Sequence, residues 1–233
     1  PPPHPPTRPH HHPHPTPPPP PPPPPPPHHP PPPPTRQYTP PATPDNDPSA
    51  ISLAGGSGDL GETLFMGNVF VKSPTSVQQT HFVRFEAGRS GTFRLVHNTL
   101  VAQPKNVVIS SIASTTTLEN NIIVGGASLW SSGDWAAGQN WLDSGLAVPA
   151  ALSGGLRGAA PGFVSGKDAD FTLASGSPCI DAGTPSSTTP SFQWSVFGVP
   201  VARSVVGSYA DLGAFEYQAG TSLTHVGWGE FKQ

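Results

Sequence analysis

Cysteine, methionine and charge are all scarce in this chain. The single cysteine, Cys179, excludes an internal disulfide and any metal site built from several thiolates. Flanked by Pro178 and Ile180, it reads as a small buried apolar side chain. Charged residues make up only 11% of the sequence, the formal net charge is −3, and no basic stripe alternates with aromatics. No nucleic-acid partner is expected on those grounds. No apolar run approaches the ~18 residues of a bilayer span, so no transmembrane segment is expected. No stretch carries a convincing 3.6-residue apolar period, which excludes strands alternating with helices. The chain starts at Pro1 with neither Met nor a signal peptide, so the true N-terminus is expected upstream and export cannot be read from it.

What is abundant is unevenly placed. Most of the 36 prolines and seven of the ten histidines precede Ser49. Pro17 to Pro27 and Pro30 to Pro34 are unbroken runs. Proline fixes φ and removes the backbone donor, so neither helix nor sheet can form there. Residues 1–48 are therefore expected to be a disordered arm, a polyproline II rod up to ~150 Å long at ~3.1 Å per residue. Three readings of it stand: a spacer or stalk, an artefact of C-rich DNA read out of frame, or a binding arm. In the last, His10, His11, His12 and His14 would take a metal ion, or the prolines a proline-reading domain. Residues 49–217 hold the apolar content of a folded body, and 218–233 form a tail.

The body is rich in Gly, Ser, Thr, Val and Ala, the composition of strands and turns. One pattern returns along it. Met66-Gly-Asn68-Val-Phe-Val71 is followed by Val96-His-Asn98-Thr-Leu-Val101 and Glu119-Asn-Asn121-Ile-Ile-Val124, with a weaker copy in Gly138-Gln-Asn140-Trp-Leu-Asp143. The asparagines are 30, 23 and 19 residues apart, the irregular period of a solenoid. Each lies between two β-rich runs. Asn tolerates the left-handed αL conformation best among non-glycine residues, so Asn68, Asn98 and Asn121 are expected to be αL corners stacked in a ladder. Such corners wind an all-β parallel β-helix. An antiparallel sandwich is the structural alternative; it explains the strands but not the repeated corner.

At these residues the sequence resembles the pectin-lyase-like right-handed parallel β-helix superfamily, and more narrowly the bacterial polysaccharide-degrading β-helix proteins. The likeness covers roughly residues 61–217. It is strongest in Asp170-Phe-Thr-Leu-Ala-Ser-Gly-Ser-Pro-Cys-Ile-Asp-Ala-Gly183 and Asp211-Leu-Gly-Ala-Phe-Glu-Tyr217, an ending shared by many secreted β-helices. The resemblance implies a right-handed β-helix fragment with a C-terminal cap. Residues 61–125 are read as coils and 126–217 as the last coil and cap, with about three complete coils. Phe163, Phe171, Ile180, Phe215 and Tyr217 would let the chain fold across the open end. It also implies a secreted or cell-surface protein, expected to be a monomer, whose partner is extracellular polysaccharide. The parent would be a lyase or hydrolase, with Ca²⁺ as its possible cofactor; the alternative is a noncatalytic carbohydrate-binding β-helix on a proline stalk.

Lyases of this type need a base near the proton α to a uronate carboxylate, and hydrolases need two carboxyl groups flanking the glycosidic bond. In His81-Phe-Val-Arg-Phe-Glu86, alternation turns Val83 and Phe85 inward and Arg84 and Glu86 outward. Arg84 is the candidate base or carboxylate clamp, and Glu86 the candidate acid. Arg94 and His97 follow on the next strand, His97 reading as a packing residue. Twelve residues before the other anchors stand Gly56 and Ile109, so no acidic pair emerges. Asp59 with Glu62 is a thin start for a Ca²⁺ site. Trp130, Trp135 and Trp141 are read as cap and core packing, with a sugar-stacking surface as the alternative. The chain alone is expected to be inactive.

Overall fold

A computed structural model describes residues 51–53, 61–72, 81–85, 91–185, 189–194 and 200–218. The arm 1–48 and the tail beyond Gln218 lie outside the described residues. The body is an all-β parallel β-helix, as expected, and not an antiparallel sandwich. Its first coil comprises β1 (Ile51–Leu53), β2 (Glu62–Met66) and β3 (Val69–Val71). The second has β4 (His81–Phe85), β5 (Thr92–Val96) and β6 (Thr99–Val101). The third has β7 (Val107–Ser111), β8 (Thr115–Glu119) and β9 (Ile122–Val124); the fourth has β10 (Ser128–Ser131), β11 (Asp134–Ala137) and β12 (Trp141–Asp143). Each coil gives one strand to each of three parallel sheets, ordered β1-β4-β7-β10 (sheet I), β2-β5-β8-β11 (sheet II) and β3-β6-β9-β12-β13 (sheet III), where β13 is Leu156–Gly158. Four coils are therefore present among the described residues, against the about three complete coils read from the sequence.

Alternation sends one side of every strand into a common interior. Val83, Phe85, Phe93, Leu95, Leu100, Ile109, Leu118, Ile123 and Leu142 are shielded from water there. Phe85 stacks on Phe93 with ring centres 4.7 Å apart, and Phe65 meets Phe93 edge-on at 5.9 Å. Burying each such side chain stabilises the coil stack by about 1.5–3 kcal/mol.

The corner between sheets II and III differs from the expectation by one residue. The αL positions are Gly67 (φ 70°), His97 (φ 52°) and Asn120 (φ 56°), each immediately before an anchor asparagine. The asparagines themselves are not at positive φ. They form the ladder: the backbone N–H of Asn68 donates to Asn98 Oδ1, that of Asn98 to Asn121 Oδ1, and that of Asn121 to Asn140 Oδ1, all at 2.9 Å. Their side-chain amides run in the same direction at 3.0–3.2 Å. The turn is made by one residue and the lock by the next.

The cap also departs from the expectation. The end of the interior is closed locally: Leu152, in the 3-10 turn Ala150–Leu152, packs into it. Arg157, in register with inward Leu142, donates to the carbonyls of Ser144 and Leu146. The following chain, with β14 (Phe163–Ser165), β15 (Asp170–Leu173), β16 (Phe192–Trp194) and β17 (Pro200–Ala202), does not simply cross that end. It covers the outward side of sheet III, where Ile122 and Trp141 pack with Leu173, Cys179 and Leu212. An outward row that carries Ile and Trp needs cover, and the closed end does not.

Candidate functional site

Sheet I presents its outward side chains in a register row along the solenoid axis: Arg84, Ser110 and Trp130 pair successively. The flanking rows point inward, with Val83, Ile109 and Leu129 on one side. Arg84 is thus outward, as alternation required. Trp130, by contrast, is no core residue: 47% of it is exposed on this face, whereas Trp141 is 1% exposed under the cap and Trp135 packs against the interior. Ser110 is only 6% exposed, a short side chain sunk between two tall ones. At the turns that follow β7 and β10 a hollow of about 370 Å³ opens, lined by Ile112, Ala113, Ser114, Ser132 and Gly133. A guanidinium and an open indole therefore share the outward side of sheet I.

Glu86 lies outside the described residues, as does Asp59. Glu62 serves another purpose. On the outward side of sheet II, Arg94 Nη1 stands 3.3 Å from Glu62 Oε2, and its Nη2 stands 3.5 Å from Glu119 Oε2. Two carboxylates from different coils thus meet on one guanidinium, an acidic pair that counting back from the asparagines did not reveal. Arg94 engages both, so the trio ties three successive coils together. Among the described residues no group of three or more His, Cys, Asp and Glu side chains is placed to hold a metal ion.

His97 is buried and belongs to the cap contact, in line with its reading as a packing residue. Arg203 bridges it to Glu216: Nη2 is 3.1 Å from His97 Nδ1 and Nε donates to Glu216 Oε1 at 2.8 Å. On the other side of the ring, Asn120 Nδ2 is 3.3 Å from Nε2. Asn120 is oriented by Thr184, whose N–H donates to Oδ1 and whose carbonyl accepts from Nδ2. Arg203 Nη2 and Asn120 Nδ2 are both donors, so the neutral imidazole, with one ring nitrogen protonated, accepts from one of the two. Burial, with the neighbouring Arg203 charge, lowers its pKa to about 3. It is a neutral structural ring and not a base.

The closing motifs are a clasp around that ring. Asp211 Oδ1 accepts the N–H of Asp181 at 2.7 Å, and its other oxygen accepts that of Tyr217. Gly213 takes φ 88° where a Cβ would strike Ile122 and Thr99 at 2.7–2.8 Å. Its N–H donates to Asn120 O, and that of Ala214 to Thr99 Oγ1. Cys179 sits fully buried beneath, and burial pushes its thiol up to about 12, so it is chemically inert.

No family model, curated protein or solved structure matches this chain. No helix among the described residues is long and apolar enough to cross a membrane.

Proposed function

We propose that this chain is a polysaccharide-binding part of a secreted or cell-surface β-helix protein of the pectin-lyase-like type, and that the outward side of sheet I is its binding face. The observation that carries the reading is Trp130, whose indole is half open to solvent on the outward side of sheet I. An apolar ring with one polar edge suits the flat apolar face of a sugar and its hydroxyl rim. Parallel strands stacked at ~4.8 Å supply a rigid platform, so little order is lost on binding. The test is retention on a panel of insoluble and immobilised polysaccharides. Wild-type protein is retained on at least one of them, and Trp130→Ala is not. Equal retention of the two proteins removes the reading.

A second reading, catalysis by a lyase- or hydrolase-like parent, is favoured by one observation, the Glu62–Arg94–Glu119 trio. Two carboxyl groups on one outward face are what glycoside hydrolysis uses. Arg94 between them leaves neither placed as a free acid.

A further inference from the structure

His97 joins two separate stretches of the cap to a corner of the coils. Its ring is fully buried between Asn120 Nδ2, 3.3 Å from Nε2, and Arg203 Nη2, 3.1 Å from Nδ1. Both donors are fixed by the cap. The Asn120 amide is held against turning over, because Thr184 offers its N–H to Oδ1 and its carbonyl to Nδ2. Arg203 is held against swinging aside, with Nε bonded to Glu216, Nη1 to the Gly213 carbonyl and Nη2 to the Asp211 carbonyl. A neutral ring answers this frame with its one lone pair. An added proton removes the lone pair and sets an imidazolium against two fixed donors, one of them a guanidinium.

The other charges around the ring do not relieve that conflict. Glu216 is engaged by Arg203, and the Asp211 carboxylate accepts the N–H groups of Asp181 and Tyr217, with the Asp181 charge beside it. Glu119 accepts the His97 backbone N–H at its carbonyl, while its carboxylate lies against Arg94. The Asp211 carbonyl beside the ring serves one N–H of an imidazolium and leaves the other facing a donor. Burial raises Asp211 and Glu216, so both hold protons better in the closed cap and oppose opening in acid.

The two stretches lie over apolar surface. Arg203 holds the carbonyls on either side of Leu212, and Thr184 closely follows Cys179. Leu212 and Cys179 pack with Ile122 and Trp141 on the outward side of sheet III. The coils have their own bonds, the asparagine ladder and the Phe85–Phe93 stack, neither of which contains a titratable group.

We propose that His97 is an acid release for the cap: a proton on its ring frees Thr184 and Arg203 from the corner and lifts the chain around Cys179 and Leu212 off sheet III, with the coils still wound. The closed ring takes its proton near 3 and a freed one near 6.5, so acid favours the open cap by at most on the order of a thousandfold. The release does not depend on the face proposed on sheet I.

Cys179, the single cysteine and fully buried beneath the cap, reports the opening. The full chain is labelled with a dithiodipyridine reagent, which reacts with thiols in acid, and the rate is divided by that of a free cysteine peptide at the same pH. From pH 7 to pH 4 the wild-type ratio is expected to rise at least about tenfold, with an unchanged far-ultraviolet circular dichroism spectrum. His97→Asn, which tolerates the αL turn and takes no proton in this range, is expected to hold the ratio constant. A constant wild-type ratio, an equal rise in His97→Asn, or a rise that accompanies loss of the β spectrum overturns the release. The wild-type ring supplies a measurement that needs no variant: its carbon-bound proton resonances are expected to titrate with the same midpoint as the labelling. A ring that becomes charged while Cys179 stays protected, or labelling that sets in while the ring is neutral, also overturns it.

Discussion

The amide oxygen of Asn98 accepts twice from Asn68, at 2.9 Å from its backbone nitrogen and 3.2 Å from its side-chain nitrogen. The Asn98 amide nitrogen in turn faces three acceptors: Phe65 O at 2.9 Å, Asn121 Oδ1 at 3.1 Å and Val96 O at 3.2 Å. The ladder thus has a direction, with every oxygen looking toward the first coil. Asn98→Ala removes these bonds at a buried corner and is expected to cost about 2–4 kcal/mol, at roughly 1 kcal/mol per bond. No αL strain enters, because His97 makes the turn. Asn98→Asp is the sharper test. It keeps the shape but sets an oxygen against three oxygens, so urea denaturation is expected to find it less stable than Asn98→Ala at neutral pH.

His97 links stability to acidity. Its folded pKa, about 3, lies below the ordinary value of 6.5. The unfolded chain therefore binds the extra proton first as pH falls. The ring's contribution is fully present above pH 6.5 and is lost as pH falls toward 3, with a slope approaching 1.4 kcal/mol per unit, an order-of-magnitude limit for one proton. Burial raises Asp211 and Glu216, which act in the opposite sense: their folded forms hold protons longer, so their contribution is lost as pH rises through their folded values. Comparing wild type with His97→Asn, which tolerates αL, isolates the histidine. The stability difference is expected to shrink from pH 7 to pH 4; a constant difference contradicts the neutral buried ring.

Two tryptophans on outward rows separate packing from exposure. Trp141 lies under Leu173, Cys179 and Leu212, so Trp141→Ala is expected to cost about 3–5 kcal/mol. Trp130→Ala is expected to change stability by less than about 1 kcal/mol. Thermal unfolding of the two variants checks both.

The chain by itself is expected to be catalytically silent. Neither ultraviolet absorbance from unsaturated ends nor new reducing ends should appear on pectate or alginate, with or without Ca²⁺. Turnover abolished by Glu62→Gln or Glu119→Gln would reinstate the hydrolase reading.

The sequence showed the corner but not the rows that run from coil to coil. Asn recurred because a ladder needs the same amide at every level, and that repetition survives unequal coil lengths. The αL residue did not repeat, since Gly67, His97 and Asn120 are three different solutions to one backbone requirement. The fourth coil was faint because Gly138-Gln-Asn140 has no β-branched run before it. The row of Arg84, Ser110 and Trp130 was hidden for a related reason. These residues precede their anchors by 14, 11 and 10 positions, as turns of unequal length join sheet I to sheet II. The same variation hid Glu62 from Glu119, and the clasp at Asp211 joined residues too distant for any local pattern.

The binding face is tested most directly by the indole N–H resonances of the tryptophans during titration with a soluble oligosaccharide of the retained polymer. Trp130 is expected to shift progressively and saturably, while the resonance of buried Trp141 stays in place. Unmoved Trp130 at saturating ligand, or a shift confined to Trp141, would contradict the account.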